Sequence, residues 1–152
     1  MAKTFAITRS LEMKASAAKI FPLLHDFHFW GQWSPWEKMD PDMTKEFTGA
    51  AMGVGAKYAW VGKKTGSGSM EMLEVQEPSL LKIALRFTKP FKAENETMLT
   101  LEERGDLTKV TWLMTGKQPL LMQVLSLFIN QDKMIGKDFE AGLKNLQAIV
   151  EA

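Results

Sequence analysis

A change in the spacing of apolar residues near residue 117 limits the possible folds of this chain more than any other feature. From Thr44 to about that point, apolar and polar residues alternate in six short segments, with Gly, Pro or Asp in the breaks between them. Such alternation is typical of half-buried β-strands joined by hairpin turns. Beyond it, apolar residues recur every three or four positions, at Ile135, Phe139, Leu143, Leu146 and Val150. That spacing predicts one face of a helix about 20 residues long.

The amino-terminal third supplies one more strand and two short helices. The predicted strands cover residues 5–13, 44–47, 57–61, 67–76, 80–87, 94–103 and 109–116. Ser16 is a typical N-cap for a first short helix, which Pro22 limits to about two turns. Asp26 caps a second short helix through Gly31, and the Ser34-Pro35-Trp36 segment is expected to end it.

Consecutive hairpins of this kind predict an antiparallel sheet in an α+β fold. We expect a curved seven-stranded antiparallel sheet wrapped around the long carboxy-terminal helix, with two short helices after the first strand. At this length, one domain over residues 1–152 is expected. One helix cannot fill the mouth of such a sheet completely, so the remaining gap predicts a cavity between sheet and helix.

The charge and composition of the chain exclude several classes of function. The 152 residues carry 19 basic and 18 acidic side chains and no cysteine. This balance argues against a nucleic-acid-binding module, and the absence of cysteine excludes disulfides, thiolate nucleophiles and cysteine-ligated metals. The amino terminus lacks the apolar run of a signal peptide, and no apolar stretch approaches the roughly 18 residues of a membrane span. We therefore expect a cytoplasmic protein without cofactor, metal or stable membrane insertion.

Short motifs spread over nearly the whole chain carry a resemblance to a known family. They are Phe-Trp-Gly-Gln-Trp-Ser-Pro-Trp at 29–36, Gly-Val-Gly at 53–55, Tyr-Ala-Trp at 58–60, Gly-Ser-Gly-Ser-Met at 66–70, Phe-Thr-Lys-Pro-Phe at 87–91 and Thr-Lys-Val-Thr-Trp at 108–112. With this order of elements, the chain resembles the START-like (SRPBCC) superfamily, and within it the small bacterial polyketide cyclase/dehydrase-like branch. The resemblance implies a helix-grip fold. It also implies a cavity for lipids, hormones, polyketides or aromatic compounds, which only some members transform.

Large or flexible apolar side chains are predicted to line the cavity. Aromatic and methionine side chains suit a pliable apolar wall, because the former are large and the latter adapt their shape. The predicted ligand-binding residues are Trp33, Trp36, Trp60, Met72, Phe87, Trp112, Met114, Met122, Leu125 and Phe128. Packed core is the alternative for each of them.

The segment 120–129 is apolar on nearly every side, which is more than a single buried stripe requires. One interpretation is a helix that gates the ligand cavity. A homodimer contact, a patch that touches a membrane and a simple buried helix are the alternatives.

Polar residues offer only weak candidates for catalysis, and no catalytic residue is assignable. His25 and His28 lie three residues apart, although surface positions beside a capping Asp26 are the favoured interpretation. Arg9 shares the phase of the apolar residues in its strand, so it is expected to pair with Glu74 or to bind a polar group of a ligand.

The loop Gly62-Lys63-Lys64-Thr65 resembles the end of a phosphate-binding loop. Position 57 holds lysine where the first glycine of that motif belongs, and no helix is predicted after the loop. We therefore expect no nucleotide site there.

Three functions follow from these observations. The first is the binding of a hydrophobic small molecule, such as a lipid, polyketide or aromatic metabolite, between sheet and helix. The second is a polyketide cyclase or lyase that uses the same cavity. The third is a protein-interaction module like the heat-shock-protein-activator branch of the superfamily, with the segment 120–129 as its docking surface.

Overall fold

Seven antiparallel strands form one curved sheet in the computed structural model, which describes residues 3–89, 92–118 and 131–152. The strands are β1 (Lys3–Met13), β2 (Thr44–Gly49), β3 (Ala56–Gly62), β4 (Gly66–Gln76), β5 (Leu80–Lys89), β6 (Ala93–Arg104) and β7 (Leu107–Gln118). Their order in the sheet is β1-β7-β6-β5-β4-β3-β2, so every neighbouring pair except β1-β7 is a hairpin. Each predicted strand is confirmed, with its ends displaced by at most two residues.

Four short helical segments connect β1 to β2. They are α1 (Ala17–Ile20), two 3-10 segments (Phe21–Leu23 and Phe27–Gln32) and α2 (Pro35–Met39). The Ser16 side chain accepts a hydrogen bond from the backbone N–H of Lys19, and that of Asp26 accepts one from the N–H of His28. Both predicted caps are therefore present.

The Ser34-Pro35-Trp36 segment begins a helix and does not end one, which corrects the prediction from the sequence. Ser34 is the N-cap and Pro35 the first residue of α2. Proline suits this position because its fixed φ matches the helix and its missing N–H has no intrahelical partner there in any case. As a result, Trp36 and Glu37 are helical residues.

The long carboxy-terminal helix, α3 (Gln131–Val150), packs against β1 and α2. The predicted stripe is confirmed, since Phe139, Leu143, Leu146 and Val150 are buried and Ile135 is partly buried against the same core. Within the described ranges, no helix is long and apolar enough to cross a bilayer.

The inner face of the sheet is closely packed toward one end. The core there includes Met13, Met72, Leu81, Ile83, Leu99 and Val110, none of which retains measurable exposure, and Leu143, Leu146 and Val150 of α3 belong to the same cluster. Each such aliphatic side chain stabilises the fold by about 1.5–3 kcal/mol relative to an exposed position. The first half of α3 covers the other end, where the side chains do not fill the space.

Candidate functional site

A cavity of about 470 Å³ lies between the inner face of the sheet, α2 and the first half of α3. The strands contribute mostly apolar side chains that share one phase of the period-two pattern, namely Phe5, Met70, Leu85, Phe87, Trp112 and Met114. α2 contributes Trp36, and α3 contributes Ile135 and Phe139. A space of this size and lining is typical of a small-molecule site.

Aromatic contacts hold the wall beneath α3 in place. The Trp112 ring stacks on Phe139 with their centroids 4.1 Å apart and their planes 6° from parallel. The ring of Trp36 meets Trp112 edge-on at 5.5 Å, and Trp33 meets it edge-on at 5.4 Å from the core side. Each such pair contributes about 0.5–1.5 kcal/mol beyond its buried area, so this part of the wall is preformed.

The structure brings together half of the side chains that the sequence predicts to bind a ligand. Trp36, Trp60, Phe87, Trp112 and Met114 all line the cavity.

Trp33 and Met72, which were predicted with them, lie in the packed core and have no measurable exposure. The indole N–H of Trp33 donates to the carbonyl of Leu23 at 2.9 Å, which directs this side chain away from the cavity. Met122, Leu125 and Phe128, like the whole segment 120–129, lie outside the described residues.

A carboxylate–phenol pair forms the polar part of the wall beside α2. The Tyr58 hydroxyl donates to Glu37 Oε1 at 2.5 Å, and the Lys45 ammonium lies 3.4 Å from the same oxygen. Burial raises the pKa of Tyr58, and the hydrogen bond to Glu37 raises it further, so this phenol stays protonated and remains a donor. The Glu37 side chain is only 9 % exposed.

Three buried polar atoms lack a hydrogen-bond partner in the part of the chain that the structure describes, and all three belong to residues that line the cavity. They are Glu37 Oε2, Asn95 Oδ1 and Trp112 Nε1. Buried polar groups in proteins are nearly always paired, and an unpaired one costs about 1–3 kcal/mol. All three atoms have almost no accessible surface of their own, so they lie within the wall and do not face the open space of the cavity.

Three of the other four tryptophans donate their indole N–H groups to backbone carbonyls. Trp30 donates to the Leu24 carbonyl at 2.8 Å, Trp60 donates to the Thr65 carbonyl at 3.3 Å, and Trp33 has the bond already described. The Trp36 side chain interacts with the Asp138 carboxylate and lowers the pKa of that group. Trp112 therefore differs from the rest.

Asp138 places a second carboxylate at the cavity, on α3. Burial raises its pKa, and the hydrogen bond from Trp36 opposes this shift only in part. The shift has this sign because an apolar wall solvates the charged carboxylate less well than water does.

The loop 62–65 binds an anion that the chain itself supplies. The Asp40 carboxylate accepts hydrogen bonds from the backbone N–H groups of Lys64 at 2.9 Å and Thr65 at 3.1 Å. These bonds lower the pKa of Asp40. They fasten the β3–β4 turn, which lines the cavity through Lys64 and Thr65, to the end of α2.

Arg9 lies outside the cavity lining and pairs with α3, and the predicted pair with Glu74 is not formed. Its guanidinium lies 3.2 Å from Asp132 and 3.4 Å from Glu140, while Glu74 accepts a hydrogen bond from Gln76. The Arg9 guanidinium lies directly against Gly136 of the helix. A Cβ at that position would collide with it.

The two histidines are held by local contacts. His25 Nδ1 lies 3.2 Å from the carbonyl of Phe21, and His28 Nδ1 lies 2.7 Å from the Asp26 carboxylate, with half of the His28 side chain exposed. Neither lines the cavity. Within the described ranges, no cluster of three or more potential metal ligands occurs.

Several residues at the cavity were missed by the sequence reasoning, although some carried a signal. Asn95 and Thr97 share the phase of Leu99 in β6, and Tyr58 shares that of Trp60 in β3. Asp138 lies one helical turn from Ile135, on the apolar stripe. Polar residues on the apolar face of a strand or helix therefore indicated the position of this site. Glu37 carried no such signal, since α2 was not predicted.

The sequence matches the model of one protein family over residues 4–151, and that family is described as polyketide cyclase / dehydrase and lipid transport. The chain belongs to this family. The START-like resemblance of the sequence is thereby confirmed, and the family's description covers both catalysis and lipid transport. A search of curated proteins returns no match.

Solved structures share the helix-grip fold with this family member at low identity. CV1439 from Chromobacterium violaceum aligns with a TM-score of 0.70 at 15 % identity, over 97 % of each chain. The Aha1 dimer from Colwellia psychrerythraea aligns with a TM-score of 0.69 at 15 % identity, over 97 % of this chain and 96 % of that one. DynU16, from the dynemicin biosynthetic locus, aligns with a TM-score of 0.67 at 13 % identity, over 97 % of this chain and 47 % of that one. Identities this low establish the fold alone.

Proposed function

We propose that this protein binds a hydrophobic small molecule, such as a lipid, polyketide or aromatic metabolite, in the cavity between the sheet and α3. The observation that carries this proposal is the apolar cavity of about 470 Å³ at the unfilled end of the sheet. Burial of apolar ligand surface, at roughly 25 cal/mol per Å², would supply most of the affinity. A cytoplasmic location and a homodimer remain predictions from the sequence.

Native mass spectrometry of freshly purified protein, followed by solvent extraction, tests the proposal directly. We expect an adduct that is released on denaturation as a small apolar compound. For protein that carries none, titration with the neutral fluorescent probe N-phenyl-1-naphthylamine is expected to show saturable binding. Absence of both an adduct and probe binding would contradict the proposal.

A pair of identical substitutions locates the binding site. Leu85→Trp places a larger ring in the cavity from β5, whereas Leu73→Trp makes the same change at an exposed position of β4. We expect the first variant to lose at least about tenfold in probe affinity, a change of about 1.4 kcal/mol, and the second to bind like the wild type. Equal affinities in both folded variants would place the probe elsewhere.

A polyketide cyclase or lyase that uses the same cavity is the second candidate. The observation that favours it is the Tyr58–Glu37 pair, which places a phenol and a carboxylate together at the cavity wall. Proton transfer to or from a bound substrate would require such groups. Conversion of a linear polyketide, abolished in both Glu37→Gln and Tyr58→Phe, would support this candidate over simple binding.

A further inference from the structure

Asn95 lies in a row of otherwise apolar residues that crosses the inner face of the sheet beneath the cavity. From β4 to β1, the residues paired in this row are Met70, Leu85, Asn95, Gly116 and Phe5. All of them except Gly116 line the cavity. Because β6 has a neighbouring strand on either side, the accessible part of the half-buried Asn95 side chain faces the space between the sheet and α3.

The two ends of the Asn95 amide have different surroundings. Its Oδ1 is buried and lies against Gly116, where a Cβ would collide with it. The hydrogens of Gly116 are weak partners for an oxygen and no partners for an N–H donor, so they favour this orientation of the amide. Nδ2 is not among the buried unpartnered atoms, and it forms no hydrogen bond to a described residue. This end of the amide is therefore an accessible donor without a partner in the described part of the chain.

The other donors on the inner face of the sheet are engaged or buried. The indoles that line the cavity have the partners given above or lie within the wall. The hydroxyl of Tyr58 donates to Glu37, and the hydroxyls of Ser34 and Thr97 belong to residues that are at most 4 % exposed. Among the described lining residues of this face, Asn95 therefore supplies the donor that a ligand can reach without breaking an existing contact.

This donor distinguishes between ligands when water leaves the cavity. Without a ligand, water can accept a hydrogen bond from Nδ2 of Asn95. A purely apolar ligand would displace that water and leave the donor unpaired, whereas a ligand with an oxygen acceptor restores the bond. The ligand that fits this wall is therefore apolar over most of its surface and carries an acceptor where it meets β6.

The charges at the cavity favour an acceptor without charge. Among the described lining residues, the carboxylates are Glu37 and Asp138, and the only cationic side chain is that of Lys64, which is exposed. Lys45 offsets the charge of Glu37, whereas Asp138 forms no ion pair with a described residue. A ligand carboxylate would lose its hydration beside this wall, and a ketone or ester carbonyl accepts a hydrogen bond without that cost.

We propose that Asn95 anchors the ligand by donating a hydrogen bond from Nδ2 to an uncharged oxygen acceptor, such as a ketone or ester carbonyl. The cavity then prefers apolar carbonyl compounds to carboxylates of the same shape. This inference rests on the proposed function, since it assigns the polar group of the molecule that occupies the same cavity. Gly116 belongs to the same arrangement, because its missing side chain leaves room for the Asn95 amide, and glycine inside a strand often accompanies such a close approach.

Three naphthalenes of the same shape test the preference. 2-Acetylnaphthalene carries a carbonyl, 2-isopropenylnaphthalene has a methylene group in place of that oxygen, and 2-naphthoate carries a charged carboxylate. Their dissociation constants are obtained at neutral pH by displacement of bound N-phenyl-1-naphthylamine. We expect the ketone to bind at least about tenfold more tightly than 2-naphthoate, a difference of about 1.4 kcal/mol.

The ratio of the dissociation constants of the hydrocarbon and the ketone, compared between variants, links the preference to Asn95. Asn95→Leu removes the donor at similar volume, so this ratio should fall at least about fivefold. Gly116→Ala retains the amide but displaces it with a Cβ, so the ratio should fall in the same direction. Thr100→Val, on the opposite face of β6, is the control and should keep the wild-type ratio.

The outcomes separate this inference from the proposed function. An unchanged ratio in Asn95→Leu would overturn the inference and leave the binding function standing. Failure of the ketone to displace the bound probe, or tighter binding of 2-naphthoate than of the ketone, would also overturn it. If N-phenyl-1-naphthylamine and all three naphthalenes fail to bind, both proposals fail.

Melting curves show whether a lost preference reflects lost folding. Asn95→Leu is expected to melt no lower than the wild type, because it removes a buried oxygen that has no hydrogen-bond partner among the described residues. A stable variant with a reduced ratio is the result that a ligand anchor predicts. A residue with a merely structural role would instead lower the melting temperature and leave the ratio unchanged.

Discussion

Asp138 shows at the scale of a single residue that the cavity disfavours negative charge. It is an acidic side chain on the apolar stripe of α3, and burial raises its pKa despite the hydrogen bond from Trp36. A raised pKa means that the folded chain holds a proton that the unfolded chain has already released. Stability must therefore fall as the pH rises from the unfolded pKa, about 3.9, through the higher folded value.

Asp138→Asn is expected to remove this loss and to make the protein more resistant to urea at pH 7. The asparagine keeps an oxygen that accepts from Trp36 and carries no charge to bury. Urea midpoints measured between about pH 4 and pH 7 should decline less in the variant than in the wild type. Asp106→Asn, in the exposed β6–β7 turn, is the control, and an unchanged pH dependence in Asp138→Asn would contradict the assignment.

At the scale of elements, the contact between β1 and α3 depends on the glycine at position 136, which has no side chain. Arg9 crosses the helix at Gly136, where a Cβ would collide with its guanidinium, and it pairs there with Asp132 and Glu140. Glycine inside a helix costs about 1 kcal/mol relative to alanine. The close approach of Arg9 accounts for a glycine at this position of the helix.

A double-mutant cycle tests this coupling. In the Arg9→Ala background, Gly136→Ala should stabilise the protein by about 1 kcal/mol, because the helix gains a better helix former without a collision. In the wild-type background the gain should be smaller or reversed, because the guanidinium must leave its two partners. Urea unfolding of the four proteins gives the coupling energy, and equal effects in both backgrounds would show that Arg9 and Gly136 are independent.

The elements also show how much of the fold and of the site could be predicted from the sequence alone. Strand positions follow from alternation, which a local pattern records, so the seven strands and α3 were predicted closely. Met70 and Met72 share a face of β4 two residues apart, yet Met70 lines the cavity and Met72 is core. The difference between the two positions depends on how far the packed half of α3 extends along the sheet. A local sequence pattern contains no information about that distance.

Helix boundaries limited the prediction of the site in another way. A Ser-Pro pair is compatible with the end of one helix and with the start of the next, and only the second arrangement brings Glu37 to Tyr58. Trp33 and Trp36 are similar residues in similar surroundings along the chain, and they separate because the start of α2 lies between them. The partners that decide each case lie outside this segment of the chain.

For the whole molecule, one end of the sheet is packed and the other holds the cavity, so stability should be unevenly distributed. Opening of local structure is easiest where few apolar contacts hold it. In hydrogen exchange followed by mass spectrometry, we expect the slowest amides in α3 from Leu143 onward and in the strands around Met72 and Val110. Saturating N-phenyl-1-naphthylamine should slow exchange mainly in α2 and around Trp60. Equal protection at both ends, with or without the compound, would contradict this division.

The tryptophan cluster beneath α3 also gives the protein an intrinsic fluorescent probe of its cavity. Trp30 lies 4.7 Å from Trp33, and Trp112 lies 5.4 Å from Trp33 and 5.5 Å from Trp36, measured between ring centroids. Light absorbed by one indole passes readily to its neighbours at such separations, so the emission depends on the surroundings of the whole group. All of these rings except that of Trp33 form part of the cavity wall. A ligand that enters the cavity is therefore expected to alter the emission wavelength and intensity of the intrinsic fluorescence. Occupancy can then be measured without any label.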